Sequence, residues 1–211
     1  MKIEIGEYAI KSWLIHIQKC QLVQINWKES PKWNGNIEMV DKIIKCFENK
    51  YRKENINLFK KYNKPNNVLS QHECDAIGIK INTNSIEYFA VEVAYHINGL
   101  NYGKNDDKRN IVAKCIKNAI ALYEFFNAKT ANILFVSPKI SKRKYEMLLS
   151  EFEQIEKCFN KKFNLNYKFI LIANKDFTSE ITDKLLSISN EINDNNDLFM
   201  RSYQLANIKS N

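Results

Sequence analysis

Apolar residues recur along this chain with two periods, one helical and one alternating, and their succession sets the expected order of elements. From Glu4 to Lys19, the residues Ile5, Ala9, Ile10, Trp13, Leu14 and Ile17 fall at helical spacing. Gln21 to Trp27 alternates through Leu22, Val23, Ile25 and Trp27, the pattern of a strand that Pro31 and Gly35 bring to an end. Ile37 to about Lys61 predicts a long amphipathic helix with a break near Asn55. Two strands follow, Cys74–Ile81 and Ile86–His96, joined by the hairpin-length link Asn82-Thr83-Asn84-Ser85. Asp107 to Asn127 reads as a well-buried helix with Asp106 or Asp107 as its cap. The last third alternates: strand Ala131–Val136, helix Ser141–Phe159, strand Tyr167–Ala173 and helix Phe177 to about Ile192. Residues 193–211 are polar and expected to be a peripheral tail.

Apolar strands separated by helices point to buried, mainly parallel strands, with the hairpin adding an antiparallel part. The expected fold is therefore an α/β sandwich around a mixed sheet. The chain has 211 residues, within the range of a single domain. The stretch of about 30–66 reads as a helical insertion.

Composition adds a direction. The formal net charge is +8, and bound Lys and Arg release condensed counterions from phosphate backbones, so polyanions are the expected partners. The excess of Lys over Arg, with abundant Asn and Ile, also fits AT-rich coding, which yields basic charge without a partner. The cysteines Cys20, Cys46, Cys74, Cys115 and Cys158 are odd in number and widely spaced, without a CxxC pair. They read as reduced thiols of a cytoplasmic protein rather than zinc ligands or a disulfide framework. MKIEIGEYAI lacks the apolar stretch of a signal peptide, and no run has the length of a membrane span.

The chemistry concentrates in His72-Glu73-Cys74-Asp75-Ala76-Ile77-Gly78-Ile79 and Phe89-Ala90-Val91-Glu92-Val93-Ala94. Glu92 is a carboxylate inside an apolar strand, a costly placement unless it is paired or holds a cation. Strand alternation puts Glu92, Ala94 and His96 on one face, and hairpin pairing brings Asp75 toward Glu92. Two such carboxylates repel unless a cation intervenes. Mg²⁺ accepts one or two protein carboxylates together with waters and phosphate oxygens, as metal-assisted phosphodiester hydrolysis requires. Structural ion pairs at Asp75 and Glu92, and a dipole-favourable Glu7 in a first helical turn, are the plainer readings of the same residues.

This arrangement resembles the PD-(D/E)XK nuclease superfamily over roughly residues 6–126. The similarity runs from Gly6-Glu7 through Leu22-Val23-Gln24-Ile25-Asn26-Trp27 and Glu73-Cys74-Asp75 to Val91-Glu92-Val93 and the following helix. The resemblance implies a restriction-endonuclease-like α/β/α sandwich and a DNA endonuclease, as in restriction or defence systems. It implies Mg²⁺ or Mn²⁺ as cofactor, Asp75 and Glu92 as metal ligands, the Val93 carbonyl as a backbone ligand and Glu7 as an accessory acid. A homodimer would cut both strands. The departure is Ala94, where the family carries Lys. Three readings stay open. Lys114 or Lys117 on the next helix supplies the cation, His96 acts in its place, or the site is degenerate and the protein only binds nucleic acid.

Other motifs narrow the field. GxxxxGK[ST], GxGxxG and GxSxG are missing, and His16, His72 and His96 lack metal-site spacing. Ser141-Lys142-Arg143-Lys144 is a basic cluster at a helix start, either a phosphate contact or a solvated end. Trp13 and Trp27 read as core or rim, and Trp33 as a residue that could meet a base.

Overall fold

The sheet is built in chain order. In the computed structural model, which describes residues 4–30, 37–59, 68–69, 72–96, 99–100, 107–192 and 197–206, five strands lie side by side in the order of their sequence. They are β1 (Leu22–Trp27), β2 (Cys74–Asn82), β3 (Ser85–Val93), β4 (Thr130–Ser137) and β5 (Asn166–Ala173). β1–β2–β3 pair antiparallel and β3–β4–β5 pair parallel, giving the expected mixed sheet. The two parallel connections run through helices α3 (Asp107–Phe126) and α4 (Lys142–Lys162), since parallel neighbours need a crossover.

Helices cover both faces. One core packs α3, α4 and helix α2 (Ile37–Arg52) against the sheet through Phe47, Ile116, Ile120, Phe152 and Phe159. The opposite core packs helix α1 (Ile5–Ser12) and the C-terminal helices through Ile10, Trp13, Leu14, Ile181 and Met200. Phe89, Ala90 and Val91 in β3 are all buried, as a strand covered on two faces must be. The protein is thus an α/β/α sandwich with β3 at its centre. No described helix is long and apolar enough to cross a membrane.

Several boundaries depart from the sequence pattern. The first helix continues as a π-helical turn, Trp13–Ile17, and stops at Lys19 with φ 62°. α2 ends at Arg52, and Asn55 takes φ 58°, which Asn tolerates better than other side chains. β3 ends at Val93 and not at His96. The last predicted helix is a run of three short pieces, Lys175–Phe177, Thr178–Thr182 and Asp183–Ser187, together α5. The expected peripheral tail contains helix α6 (Leu198–Ala206), which packs on α1 with Met200 fully buried.

α2, the expected insertion, contributes Val40, Ile43, Phe47 and Tyr51 to the core beside α3 and α4. The rest of the insertion reading, residues 31–36 and 60–66, lies outside the described residues, Trp33 with it, as does Asp106.

Two glycines permit close approach. A Cβ on Gly6 would stand 2.6 Å from the Tyr95 Cβ, so Gly6 lets α1 lie against the chain leaving β3. A Cβ on Gly78 would stand 2.9 Å from the Cys20 Sγ. The first of these contacts brings the start of α1, and with it Glu7, to the end of the sheet where the candidate site lies.

Candidate functional site

The register of the hairpin decides which side chains meet. Ala76 pairs with Val91, so the next position sets Asp75 opposite Glu92. Directly opposed residues in an antiparallel pair share a face. Across the other edge of β2, Ile25 pairs with Ala76 and Trp27 with Cys74, which places Asn26 beside Asp75. Asn26 adopts φ 51° there.

Glu92 is 1% exposed. Both of its oxygens are engaged: Lys114 Nζ donates to Oε2 at 2.5 Å, and Asn118 Nδ2 donates to Oε1 at 3.0 Å. Lys114 and Asn118 are four residues apart on α3 and so present one helix face to the strand. Asp75 Oδ2 accepts the Val93 amide at 2.7 Å. Burial raises the Glu92 carboxyl to about 8, Asp75 adds to the rise, and Lys114 and Asn118 oppose it. Burial also raises Asp75, against the pull of Lys114 and the Val93 amide. The pair is therefore a place where a proton or a further cation is favoured.

A second line of polar groups stands behind Glu92. His72, 3% exposed, places Nε2 2.5 Å from Asn118 Oδ1. Burial lowers the His72 pKa to about 4, despite the bond to Asn118, so the ring is neutral. Because the Asn118 amide nitrogen donates to Glu92, its oxygen accepts, and His72 must carry its proton on Nε2. Its other nitrogen, Nδ1, is buried with no hydrogen-bond partner among the described residues.

Glu7 is 7% exposed on α1, and its Oε2 accepts from Asn26 Nδ2 at 2.9 Å. Burial raises its pKa, and the charge of Asp75 raises it further, so Glu7 lies within electrostatic reach of the pair. Among the described residues no group of three or more His, Cys, Asp or Glu is placed to hold a metal. A Mg²⁺ that takes two carboxylates and completes its shell with water still suits Asp75 and Glu92. The repulsion between buried Glu92 and half-buried Asp75 is the feature such an ion would relieve.

The candidate residues divide accordingly. Asp75, Glu92 and Lys114 come together, Glu7 flanks them, and Val93 enters through its amide. Lys117 lies where its charge draws on other groups: it opposes the burial-driven rise of Glu29 and adds to the burial-driven fall of His72. His96 lies three residues beyond the end of β3. Its amide bonds to Ala94 O at 3.1 Å, and the residue is exposed. Ala94 itself is buried, its amide on Val136 O.

Asn118, His72 and Asn26 were not among the expected site residues. The available signal was Asn118 four positions after Lys114, an amide that with Lys117 interrupts the otherwise apolar stretch Cys115–Leu122.

Elsewhere, Glu73 pairs with Lys28 at 2.8 Å on the surface. Lys144 of the basic cluster donates to Leu100 O at 2.9 Å, and Ser141 makes no side-chain cap bond. Trp13 and Trp27 are buried, Trp13 donating to Glu180 O at 2.8 Å.

Ser12, Asp197 and His16 also meet, but Asp197 stands in the middle. It accepts from Ser12 at 2.7 Å and contacts His16 Nε2 at 2.9 Å. A hydrolytic triad needs the histidine between the other two. Asp197 also accepts the Met200 amide at 3.0 Å, so the group fastens α6 to α1.

No family model, curated protein or solved structure matches this chain.

Proposed function

We propose that this chain is a Mg²⁺-dependent endonuclease that hydrolyses phosphodiester bonds in DNA, with a site of the PD-(D/E)XK type. The observation that carries the reading is Lys114. Where the family pattern has a Lys two residues after the Glu, this chain has Ala94, and an ammonium from the next helix stands 2.5 Å from Glu92. A carboxylate pair with one ammonium is the minimal set that the chemistry asks for.

Asp75 and Glu92 would hold the ion, with Mn²⁺ as an alternative. When bound, such an ion polarises a phosphoryl oxygen and lowers the pKa of water. The residues of the chain do the rest. The Val93 amide fixes Asp75, and Asn118 fixes Glu92 in one orientation. Lys114, half-exposed at its side chain, is placed to stabilise charge developing on a phosphate. Glu7 adds negative potential from α1. The net charge of +8 favours a polyanionic substrate.

A second reading, a nucleic-acid-binding protein on the same fold that has lost catalysis, draws on one observation. Both oxygens of Glu92 already have hydrogen-bond partners in Lys114 and Asn118, so Glu92 is held without an ion.

The test is cleavage of supercoiled plasmid and of genomic DNA with Mg²⁺ or Mn²⁺, comparing wild type with Asp75→Ala, Glu92→Ala and Lys114→Met. Metal-dependent nicking by wild type, lost in all three folded variants, supports the enzyme. Retained, metal-independent DNA binding without cleavage across varied substrates supports the binder. Equal cleavage by all four proteins sinks both assignments of the carboxylates.

A further inference from the structure

Where α2 meets α4, two thiols come together. Cys46 on α2 and Cys158 on α4 are separated by 112 positions in the chain, and their sulfurs stand 3.5 Å apart. The other three thiols, Cys20, Cys74 and Cys115, are buried, whereas Cys46 and Cys158 are partly exposed. The two sulfurs line an open groove of about 330 Å³ together with Lys50, Lys157, Lys161 and Lys162. Lys162 Nζ lies 3.5 Å from the Cys46 sulfur. Lys162 thus places a positive charge beside the Cys46 sulfur. The backbones around the pair are held in place by Phe47 packing at a tilt against Phe159, centroids 5.3 Å apart, and by Tyr51 donating to Glu151 at 2.7 Å.

We propose that Cys46 and Cys158 form a reversible oxidation site that closes to a disulfide in response to a peroxide, locking α2 onto α4. The Cys46 thiolate attacks one oxygen of hydrogen peroxide, breaking the O–O bond, and the departing hydroxide takes up a proton to leave as water. Cys46 is then a sulfenic acid. The Cys158 sulfur attacks the Cys46 sulfur, the S–S bond forms, the S–O bond breaks, and the proton of Cys158 leaves with the hydroxyl as a second water. Two thiols have lost two electrons in all, and the peroxide has gained them. The sulfurs need to close from 3.5 Å to a bond of about 2.05 Å, a movement within reach of side-chain rotation and a small shift of one helix. This site stands apart from the carboxylates, and the inference does not depend on the nuclease reading.

The experiment uses the full chain, reduced and freed of reductant, then exposed to a few equivalents of hydrogen peroxide. Intact mass and non-reducing peptide maps are expected to show the loss of two hydrogens and a single linked pair, Cys46 with Cys158, reversed by dithiothreitol. Because the closed loop is long, the oxidised protein should melt about 10 °C higher. Cys46→Ser, a conservative change on a partly exposed residue, should abolish both the link and the shift. Cys158→Ser should leave Cys46 to gain oxygen without a link. Lys162→Met keeps both thiols, and should slow linking several-fold. Peroxide that leaves both thiols alkylatable, adds oxygen to either without a link in wild type, or links other cysteines would overturn the proposal. An unchanged rate in Lys162→Met would overturn the role given to that ammonium.

Discussion

Replacing Glu92 with Gln should change how stability depends on pH, and the size of the change follows from its surroundings. Burial and the charge of Asp75 raise the Glu92 carboxyl from 4.5 to about 8. The folded state therefore keeps a proton that the unfolded state releases. For a carboxyl raised in this way, stability is fully present below about 4.5 and declines as pH rises toward 8. His72, lowered by burial from 6.5 to about 4, works in the opposite sense below pH 6.5. Between pH 6.5 and 8 the Glu92 contribution is isolated from His72, and at about 1.4 kcal/mol per pH unit it amounts to about 2 kcal/mol. Urea unfolding, followed by the fluorescence of buried Trp13 and Trp27, measures it. Wild type should lose about 2 kcal/mol across that window, and Glu92→Gln should lose little. Millimolar Mg²⁺ should restore wild type at pH 8 and leave Glu92→Gln unmoved, because only the former gains an ion against its carboxylate pair. Equal slopes for the two proteins would refute the claim that Glu92 is the titrating group.

Other perturbations test the neighbours. Lys114→Met leaves Glu92 buried without its cation and should cost about 3 kcal/mol above pH 8 in urea unfolding, less at lower pH where Glu92 takes up a proton; Lys117→Met should cost less than about 0.5 kcal/mol. Removing the histidine in His72→Gln should flatten the acid limb, since a base lowered to about 4 loses stability as pH falls from 6.5, by up to about 3 kcal/mol at one proton; an unaltered limb would mean that another group sets it. Gly6→Ala places a Cβ 2.6 Å from the Tyr95 Cβ, and should lower the melting temperature by an amount equivalent to about 1–3 kcal/mol.

The strand pattern and the register were readable from the chain because alternation is a direct consequence of strand geometry. Val91-Glu92-Val93 marks a carboxylate facing inward, and the hairpin link fixes which residue faces it. The reach of Lys114 was legible as a possibility, since it lies on the helix that follows. Its choice over Lys117 was not, because the turn of α3 that faces β3 depends on how α3 packs between α2, α4 and the sheet. Asn26 shows a different limit. Its left-handed conformation and its bond to Glu7 join residues 19 positions apart, with no local period to announce them. The polar composition of residues 193–211 concealed α6, whose docking uses one buried aspartate and one buried methionine, Asp197 and Met200, with Phe199 and Gln204 beside them. The expected strand ran on to His96, three residues past Val93, because the apolar pattern does not show where the ladder stops.

That the strands lie in the order of their synthesis bears on how the chain is made. As β1, β2 and β3 emerge, each meets the one before it, and α3 then adds the partners of Glu92. The outer edge of β3, Tyr88–Val93, stays unpaired until β4 arrives. During that interval the nascent chain presents an apolar strand edge with Phe89 and Val91 to any other nascent chain. A truncation after α3 would make this interval permanent, so the carboxylate pair cannot be separated from β4 without inviting aggregation.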